Sequence, residues 1–354
     1  MNIRETIESY RQVFIICDRN IEAFAHALGD YPTLTVHASE ATKTAETAVG
    51  ICRWLMEHGA DRDALVVAIG GGVTTDLAGF AASIYKRGIA YANVPTTLLA
   101  MVDAGIGGKT GVNLDGSKNM IGTFRMPEYT WLFPDLLRSL PRREFLSGAA
   151  EMLKTFIIED RDGGYARTVK MLKAYAESGV SPAATADGIK ELSALITAAS
   201  GVKQDIVSRD PLERGERRVL NLGHTWGHAI EWWQVAGLQP ATDLTGGSSP
   251  CNVPPEPAGS LSCKLPLSHG EAVAIGIICA ARKAEELGIA GKSDGPLLSE
   301  KLAEDFAACG LPTELPCSEE ALEPAMKRDK KAAGEGRIRY VLPVRIGKVV
   351  VRTL

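Results

Sequence analysis

A short apolar run, three consecutive glycines and an amphipathic stretch follow one another at residues 65–86. Nothing else in the chain restricts its fold as tightly. Residues 65–69 (LVVAI) read as a buried strand, Gly70, Gly71 and Gly72 as a turn, and residues 74–86 as a helix. Leu77, Phe80, Ala81 and Ile84 fall on one face of that helix. A strand feeding a glycine turn and then a helix leaves backbone N–H groups unpaired at the helix start, where a pyrophosphate can sit. The missing Cβ atoms let backbone and anion approach closely. Asp76, in the first turn, is placed either to accept a hydrogen bond from a ligand hydroxyl or to serve as an ordinary first-turn carboxylate. GGGV differs from the usual GxGxxG, so the turn alone does not define a nucleotide site.

Residues 103–119 strengthen the case for a bound anion. GGKTG places Lys109 among glycines, where close approach to an anion costs little, and Lys118 and Asn119 add a second cation and an amide. Together with Asp103 they lie in segments too glycine-rich and apolar to be a solvated charged face.

Strand-like runs at 13–17 (VFIIC), 33–37, 65–69 and 90–94 alternate with helical stretches at 21–28, 42–58 and 74–86, the pattern of an α/β domain with a mainly parallel sheet. Ligands in such sheets sit beyond the carboxyl ends of the strands. Asp18 and Asn20 follow the first strand and suit either a helix start or a nucleotide ribose. Ser39, Glu40 and Lys43 are placed to cap the next helix or occupy its first turn. After Pro141 the pattern changes to helical periodicity at 144–158, 165–178, 182–207 and 219–233, with a closing hairpin at 338–342 and 349–351. The expected architecture is an α/β, Rossmann-like N-terminal domain (residues 1–143) and a mostly α-helical C-terminal domain (residues 144–354), with the active site in the cleft between them. A length of 354 residues agrees with two domains.

A net charge of −4 offers no electrostatic case for nucleic acid, and the polar start MNIRETIESYRQ lacks a signal-peptide core. The apolar run at 272–281 falls short of the ~18 residues of a membrane span. Seven cysteines without metal-ligand spacing read as free thiols in a reducing cytoplasm. Residues 237–266, rich in Pro, Gly, Ser and Thr, read as a long mobile loop.

The second constellation is LNLGHTWGHAIE, where His224 and His228 stand four apart on one helix face. His269 begins an apolar helix, and Glu151 lies in GAAEMLK with Lys154 one turn on. One carboxylate and two or three imidazoles from separate helices would make a zinc site with an open position, although spacing alone does not establish it.

In their order, GGGVTTDLAGF, RGIAYANVPTTLLAMVDAGIGGKTGVN, KNMIG, GAAEMLK, LNLGHTWGHAIE and SHGEAVAIG resemble the successive signatures of the 3-dehydroquinate synthases, a branch of the sugar phosphate cyclases that use NAD and a divalent metal, zinc or cobalt. The resemblance implies Glu151, His224 and His269 as metal ligands. It implies Gly71, Gly72 and Val73 under the NAD pyrophosphate, with Asp18, Asn20, Glu40, Lys43, Asp76, Thr96 and Thr97 as further cofactor contacts. Lys109, Asn119 and Lys154 match residues around the substrate phosphate, with Arg87 reaching in from the neighbouring subunit of a homodimer. Asp103, Lys118, Lys203, Arg217, Asn221 and His228 match the rest of the pocket, Glu213 lies beside it, and Lys330 or Lys331 covers it. The chain departs from the family at Ser39, where glycine is common, at Thr74 and Thr75, where Ile–Gly is common, and in the length of the 237–266 link.

The implied reaction takes 3-deoxy-arabino-heptulosonate 7-phosphate to 3-dehydroquinate and phosphate in the shikimate pathway. NAD transiently oxidises the C5 hydroxyl, phosphate leaves, the hydride returns, and ring opening with aldol closure completes the carbocycle. The rivals are a cyclase acting on glucose 6-phosphate (the 2-deoxy-scyllo-inosose synthase type) or on sedoheptulose 7-phosphate, a metal-dependent glycerol or alcohol dehydrogenase, and a catalytically silent binding protein. Lys203, Arg217 and Asn221 suit a substrate carboxylate that the other cyclase substrates lack. Lys109, Asn119 and Lys154 suit a phosphate that a dehydrogenase does not need, and intact Glu151, His224 and His269 speak against a silent protein.

Overall fold

The computed structural model describes residues 2–115, 117–238, 266–290, 296–333 and 337–354, the side chains of 236–238 and 327–333 excepted. Residues 239–265 of the expected long loop, with Cys251 and Cys263, lie outside the described residues, as does the side chain of Lys330.

The first part of the chain runs α1 (Ile3–Glu8), β1 (Val13–Asp18), α2 (Glu22–Leu28), β2 (Thr33–Val36), α3 (Ala45–Glu57), β3 (Leu65–Gly70), α4 (Gly72–Ile84), β4 (Ala90–Pro95), β5 (Lys109–Leu114), β6 (Ser117–Phe124) and β7 (Tyr129–Thr130). The second runs α5 (Arg142–Ile158), α6 (Gly164–Ser178), α7 (Ala186–Arg209), α8 (His224–Leu238), α9 (His269–Glu286), α10 (Leu298–Ala308), α11 (Glu319–Ala333), β8 (Arg339–Arg345) and β9 (Lys348–Thr353).

The main sheet has the order β2-β1-β3-β4-β7 and every pairing in it is parallel. Its strands are apolar on both sides because both faces are covered. Phe14, Ile16, Val66 and Ala68 pack with Ile51 and Leu55 of α3 and Leu77 and Ala81 of α4. The alternate residues Ile15, Cys17, Val67 and Ile69 pack with Ile7 of α1 and Ala25 of α2. Strand order reverses between β1 and β3, so the crevice beyond Asp18 and Gly70 is the place where such a sheet takes a ligand.

The helical part builds its own core around α5, α7 and α9, and that core also takes in Leu98, Met101, Val102 and Leu137 from the preceding part. No helix among the described residues is long and apolar enough to cross a membrane.

Several expected elements shift. The helix expected from residue 42 starts at Ala45, because Thr44 caps it by accepting from the Thr47 N–H; Ser39, Glu40 and Lys43 lie before it. α4 begins at Gly72 rather than residue 74, which moves Asp76 beyond the first turn. The stretch expected as one helix at 219–233 is broken. A 3-10 turn covers Glu216–Asn221, Gly223 adopts a φ of 80°, and α8 starts only at His224. The antiparallel β5–β6 hairpin lies outside the strand–helix alternation, although Asp115 followed by Gly116 is a hairpin-turn signal. The hairpin expected at the end of the chain is present as β8–β9.

α8 and α9 touch through glycines. A Cβ on Gly276 would run into the Gly223 carbonyl oxygen and lie 3.1 Å from the Gly227 nitrogen. Backbone cannot move aside as a flexible side chain does. Gly276→Ala is therefore expected to destabilise the protein by about 1–3 kcal/mol, read as a lower urea midpoint with an unchanged slope. An unchanged midpoint would show that the two helices separate freely.

Candidate active site

The crevice at the sheet's switch point is shaped for an anion. α4 has Gly71 at its N-cap, no side-chain cap and no acidic residue in its first turn, so its leading N–H groups and dipole are open. A Cβ on Gly71 would lie 3.1 Å from Thr97 Cγ2, filling the gap between the ends of β3 and β4. Thr96 donates its N–H to the Gly70 carbonyl at 2.9 Å, tying those ends together. Thr74 and Thr75, the departures from the family pattern, are buried within α4, and the Thr75 hydroxyl donates to the Gly72 carbonyl. These features fit a dinucleotide pyrophosphate.

Around this turn the expected cofactor residues engage one another. Asp18 accepts the Asn20 N–H at 2.8 Å, and Glu40 accepts from Asn113 Nδ2 at 2.9 Å. Lys43, only 4% exposed, donates to Asp76 at 2.5 Å and to Asn119 Oδ1 at 2.6 Å. It therefore fastens α4 to β6 instead of serving the start of α3. Burial pushes Asp76 up to about 6 even though Lys43 opposes it.

The β5–β6 hairpin carries two of the expected phosphate residues, Lys109 and Asn119, and Lys118 of the expected pocket, while the third phosphate residue, Lys154, lies on α5. Lys109 ion-pairs with Glu213, which also accepts from Asn221 Nδ2 at 2.8 Å, and Lys118 lies 2.9 Å from Glu231. Asn119 has a φ of 54° and donates its N–H to Asn113 Oδ1. Arg217, 2% exposed, donates to the carbonyls of Pro211 and Gly107, while its Nε is buried without a partner. Arg87 is exposed, with a φ of 69°, on the turn after α4.

A buried charge chain runs through the helical part. Lys203 of α7 donates to the Asp103 carbonyl at 2.7 Å and ion-pairs with its carboxylate. Asp103 Oδ2 lies 4.0 Å from Lys154, whose ammonium meets Glu151 one turn back on α5. Burial alone would raise Asp103, but Lys154 and Lys203 hold it below its usual value.

Glu151 is wholly buried, and neither carboxylate oxygen accepts a well-directed hydrogen bond. Its donor atom and one from each of His224 and His269 lie within 4.8 Å of one another. α8 supplies His224 at its first residue, and the Ser268–Glu271 capping box fixes the start of α9, which supplies His269. Burial, then the Lys154 charge, pushes His224 down to about 3, so its imidazole is neutral. Burial would lower His269 as well, but Glu151 and Glu231 push it up to about 10. Burial works against Glu151 too, yet Lys154 and the two histidines hold it far below the carboxylate range. A buried carboxylate beside two imidazoles fits a divalent cation with Glu/His/His ligands and open positions. His228 is exposed, its ring centroid 5.0 Å from that of His224 and 6.3 Å from that of His269, and it is outside the cluster.

One residue escaped the sequence reading. Glu231 of α8 lies between Lys118 and His269, and burial notwithstanding, His269 and Lys118 hold it well below its usual value. The available signal was its spacing: it follows His224 by two helical turns and so shares that face.

Family models of the 3-dehydroquinate synthase N-terminal and C-terminal domains match residues 33–147 and residues 148–238 with 261–332. The 3-dehydroquinate synthase of Xanthomonas oryzae pv. oryzae is 41% identical over 320 residues, covering 90% of this chain and 76% of that one. Among solved structures, 2-epi-5-epi-valiolone synthase from Streptomyces hygroscopicus, with NAD+ and Zn2+ bound, superposes with a TM-score of 0.77 at 24% identity, over 99% of this chain and 89% of that one. A 2-deoxy-scyllo-inosose synthase complexed with carbaglucose-6-phosphate, NAD+ and Co2+ gives 0.74 at 23% identity, over 100% and 91%. At those identities the two structures speak for the fold.

Proposed function

The chain belongs to the 3-dehydroquinate synthase family, and from that premise we propose that it converts 3-deoxy-arabino-heptulosonate 7-phosphate to 3-dehydroquinate and phosphate, a carbon–oxygen lyase step of the shikimate pathway, with NAD and zinc or cobalt as cofactors. The observation that carries this reading is a Glu/His/His cluster whose Glu151 ion-pairs with the buried Lys154, one of the residues suited to a phosphate. From Lys154 the same chain of charges continues through Asp103 to Lys203.

When bound, NAD supplies a hydride acceptor that is later restored, and the metal held by Glu151, His224 and His269 polarises a substrate oxygen. The chain's own residues bind and orient. Lys109, now held by Glu213, is free to exchange that carboxylate for a phosphate dianion, a stronger acceptor, and Lys118, held by Glu231, belongs to the rest of the substrate pocket. Lys154 and Asn119 close the same pocket. Lys203, Arg217 and Asn221 take the substrate's carboxylate end, with the Arg217 guanidinium held by the carbonyls of Pro211 and Gly107. His228, an exposed imidazole beside the ligand histidines, handles the proton of the reacting hydroxyl. The departing phosphate itself can take up a proton, so no dedicated protein base is required.

The domain division at 143/144 belongs to this reading, with NAD on the α/β side and metal and substrate on the helical side. So does a cytoplasmic homodimer, in which the exposed Arg87 of one subunit reaches the substrate phosphate of the other. A monomer in sedimentation at assay concentrations would remove the homodimer.

A phosphate-release assay with each candidate sugar phosphate tests the activity. Release is expected with the heptulosonate substrate, with NAD required but not consumed, so the absorbance of reduced nicotinamide stays flat while phosphate accumulates. Stoichiometric build-up of NADH would make the protein a dehydrogenase. Release from glucose 6-phosphate instead would place it with the inosose-forming cyclases.

A further inference from the structure

The histidine at the start of α9 is gripped from two sides. Its Nε2 lies 3.5 Å from Glu151 Oε1, and its Nδ1 lies 3.3 Å from Glu231 Oε1. Glu231 sits on the face of α8 that carries His224, with its side chain 13% exposed, and the same Oε1 takes the Lys118 ammonium at 2.9 Å. The other clustered histidine is treated alike. His224 Nδ1 lies 3.1 Å from the Leu222 carbonyl oxygen, which can only accept, so the ring carries its proton there and its Nε2 is left with a lone pair. Each imidazole of the cluster thus has one nitrogen bound by a protein acceptor and the other available to a cation.

We propose that Glu231 is a positioning residue of the metal centre: by accepting the Nδ1–H of His269 it fixes the ring's tautomer and orientation, and so presents Nε2 to the cation shared with Glu151 and His224. The proposal rests on reading Glu151, His224 and His269 as metal ligands. A carboxylate is the stronger of the two acceptors in the pair. It also makes the imidazole a better donor to a cation, whereas the Leu222 carbonyl mainly orients. Lys118 shares the same carboxylate oxygen from the hairpin, so one carboxylate joins a residue of β6 to a ligand on α9, while the His269–Glu231 contact does not depend on Lys118.

Metal affinity of the apo-protein, measured by competition with a chelator using zinc, tests this without reference to turnover; cobalt absorption reports the geometry. Glu231→Ala is expected to weaken zinc binding by about 10- to 100-fold and to alter the cobalt spectrum. Glu231→Gln keeps the shape and an accepting oxygen without the charge, so it should fall between Ala and wild type. Lys118→Met should leave zinc affinity in place. Wild-type protein that binds no stoichiometric zinc would overturn the reading of the cluster itself. Wild-type binding matched by Glu231→Ala and Glu231→Gln, with an unchanged cobalt spectrum, would overturn the role of Glu231 alone. An equal loss in Lys118→Met and Glu231→Ala would also overturn it, since Glu231 would then act only as an anchor for Lys118. Should the alanine variant fold poorly, the near-isosteric glutamine variant still decides the matter.

Discussion

Alanine in place of Glu151, His224 or His269 is expected to leave purified protein without stoichiometric metal and to lower turnover at least about a thousandfold, since polarisation of an oxygen by a divalent ion is worth several kcal/mol. Once a bound ion displaces the second ring proton of His269, two neutral imidazoles and one carboxylate leave a net single positive charge on a divalent ion, and a three-ligand set keeps positions open for substrate. The three residues come from α5, α8 and α9, and their donor atoms converge within 4.8 Å. Removing one leaves two, too few to retain the ion. His228→Ala, by contrast, is expected to keep the metal and lose much of the rate, because its ring stands beside the cluster and not in it. Elemental analysis paired with the phosphate-release assay reads both quantities. Metal lost from His228→Ala but kept by His269→Ala would redraw the site around α8.

Lys154→Met should have the second large effect, and its two readouts are expected to diverge. The Lys154 ammonium, 2% exposed, stands between Glu151 and Asp103. Without it, a wholly buried carboxylate loses its nearest cation, which costs about 3–5 kcal/mol when a buried pair is broken from one side. Urea unfolding in the presence of a chelator should show that loss. Added zinc should recover part of it, because the ion supplies positive charge to the same carboxylate and no longer faces the repulsion of the ammonium. Activity should nonetheless stay at least about a hundredfold down, the scale of a lost positioned charge or proton carrier. A variant as stable as wild type under chelator would show that Lys154 is not what holds Glu151 ionised.

These expectations rest on placements that were legible in the chain to very different degrees. The strand–glycine–helix unit at β3 and α4 is local: its apolar period and its glycines are contiguous, so sequence alone locates the turn and the sheet that carries it. The mostly helical second part and the β8–β9 hairpin were legible for the same reason. The candidate metal triad was half legible. Paired histidines on one helix face raise the possibility, and the family motifs single out Glu151, His224 and His269, but spacing within one helix says nothing about which other helix comes near.

Tertiary structure decided the rest, and the physical reason is the same in each case. Lys43 looks from its neighbours like a first-turn residue of α3, yet its ammonium goes to Asp76 and Asn119, because a nearly buried cation must find carboxylate and amide oxygens wherever packing places them. The helix expected through 219–233 breaks at Gly223, which takes a φ of 80° and sets its carbonyl against Gly276 of α9, a contact with a segment distant in sequence. Glu231 carries a helical spacing that aligns it with His224, but its partners are Lys118 and His269, 113 and 38 residues away. Side-chain periodicity determines which face of an element is polar. Which charges then meet is determined by the long-range packing that brings those faces together, and for this protein that packing assembles the site.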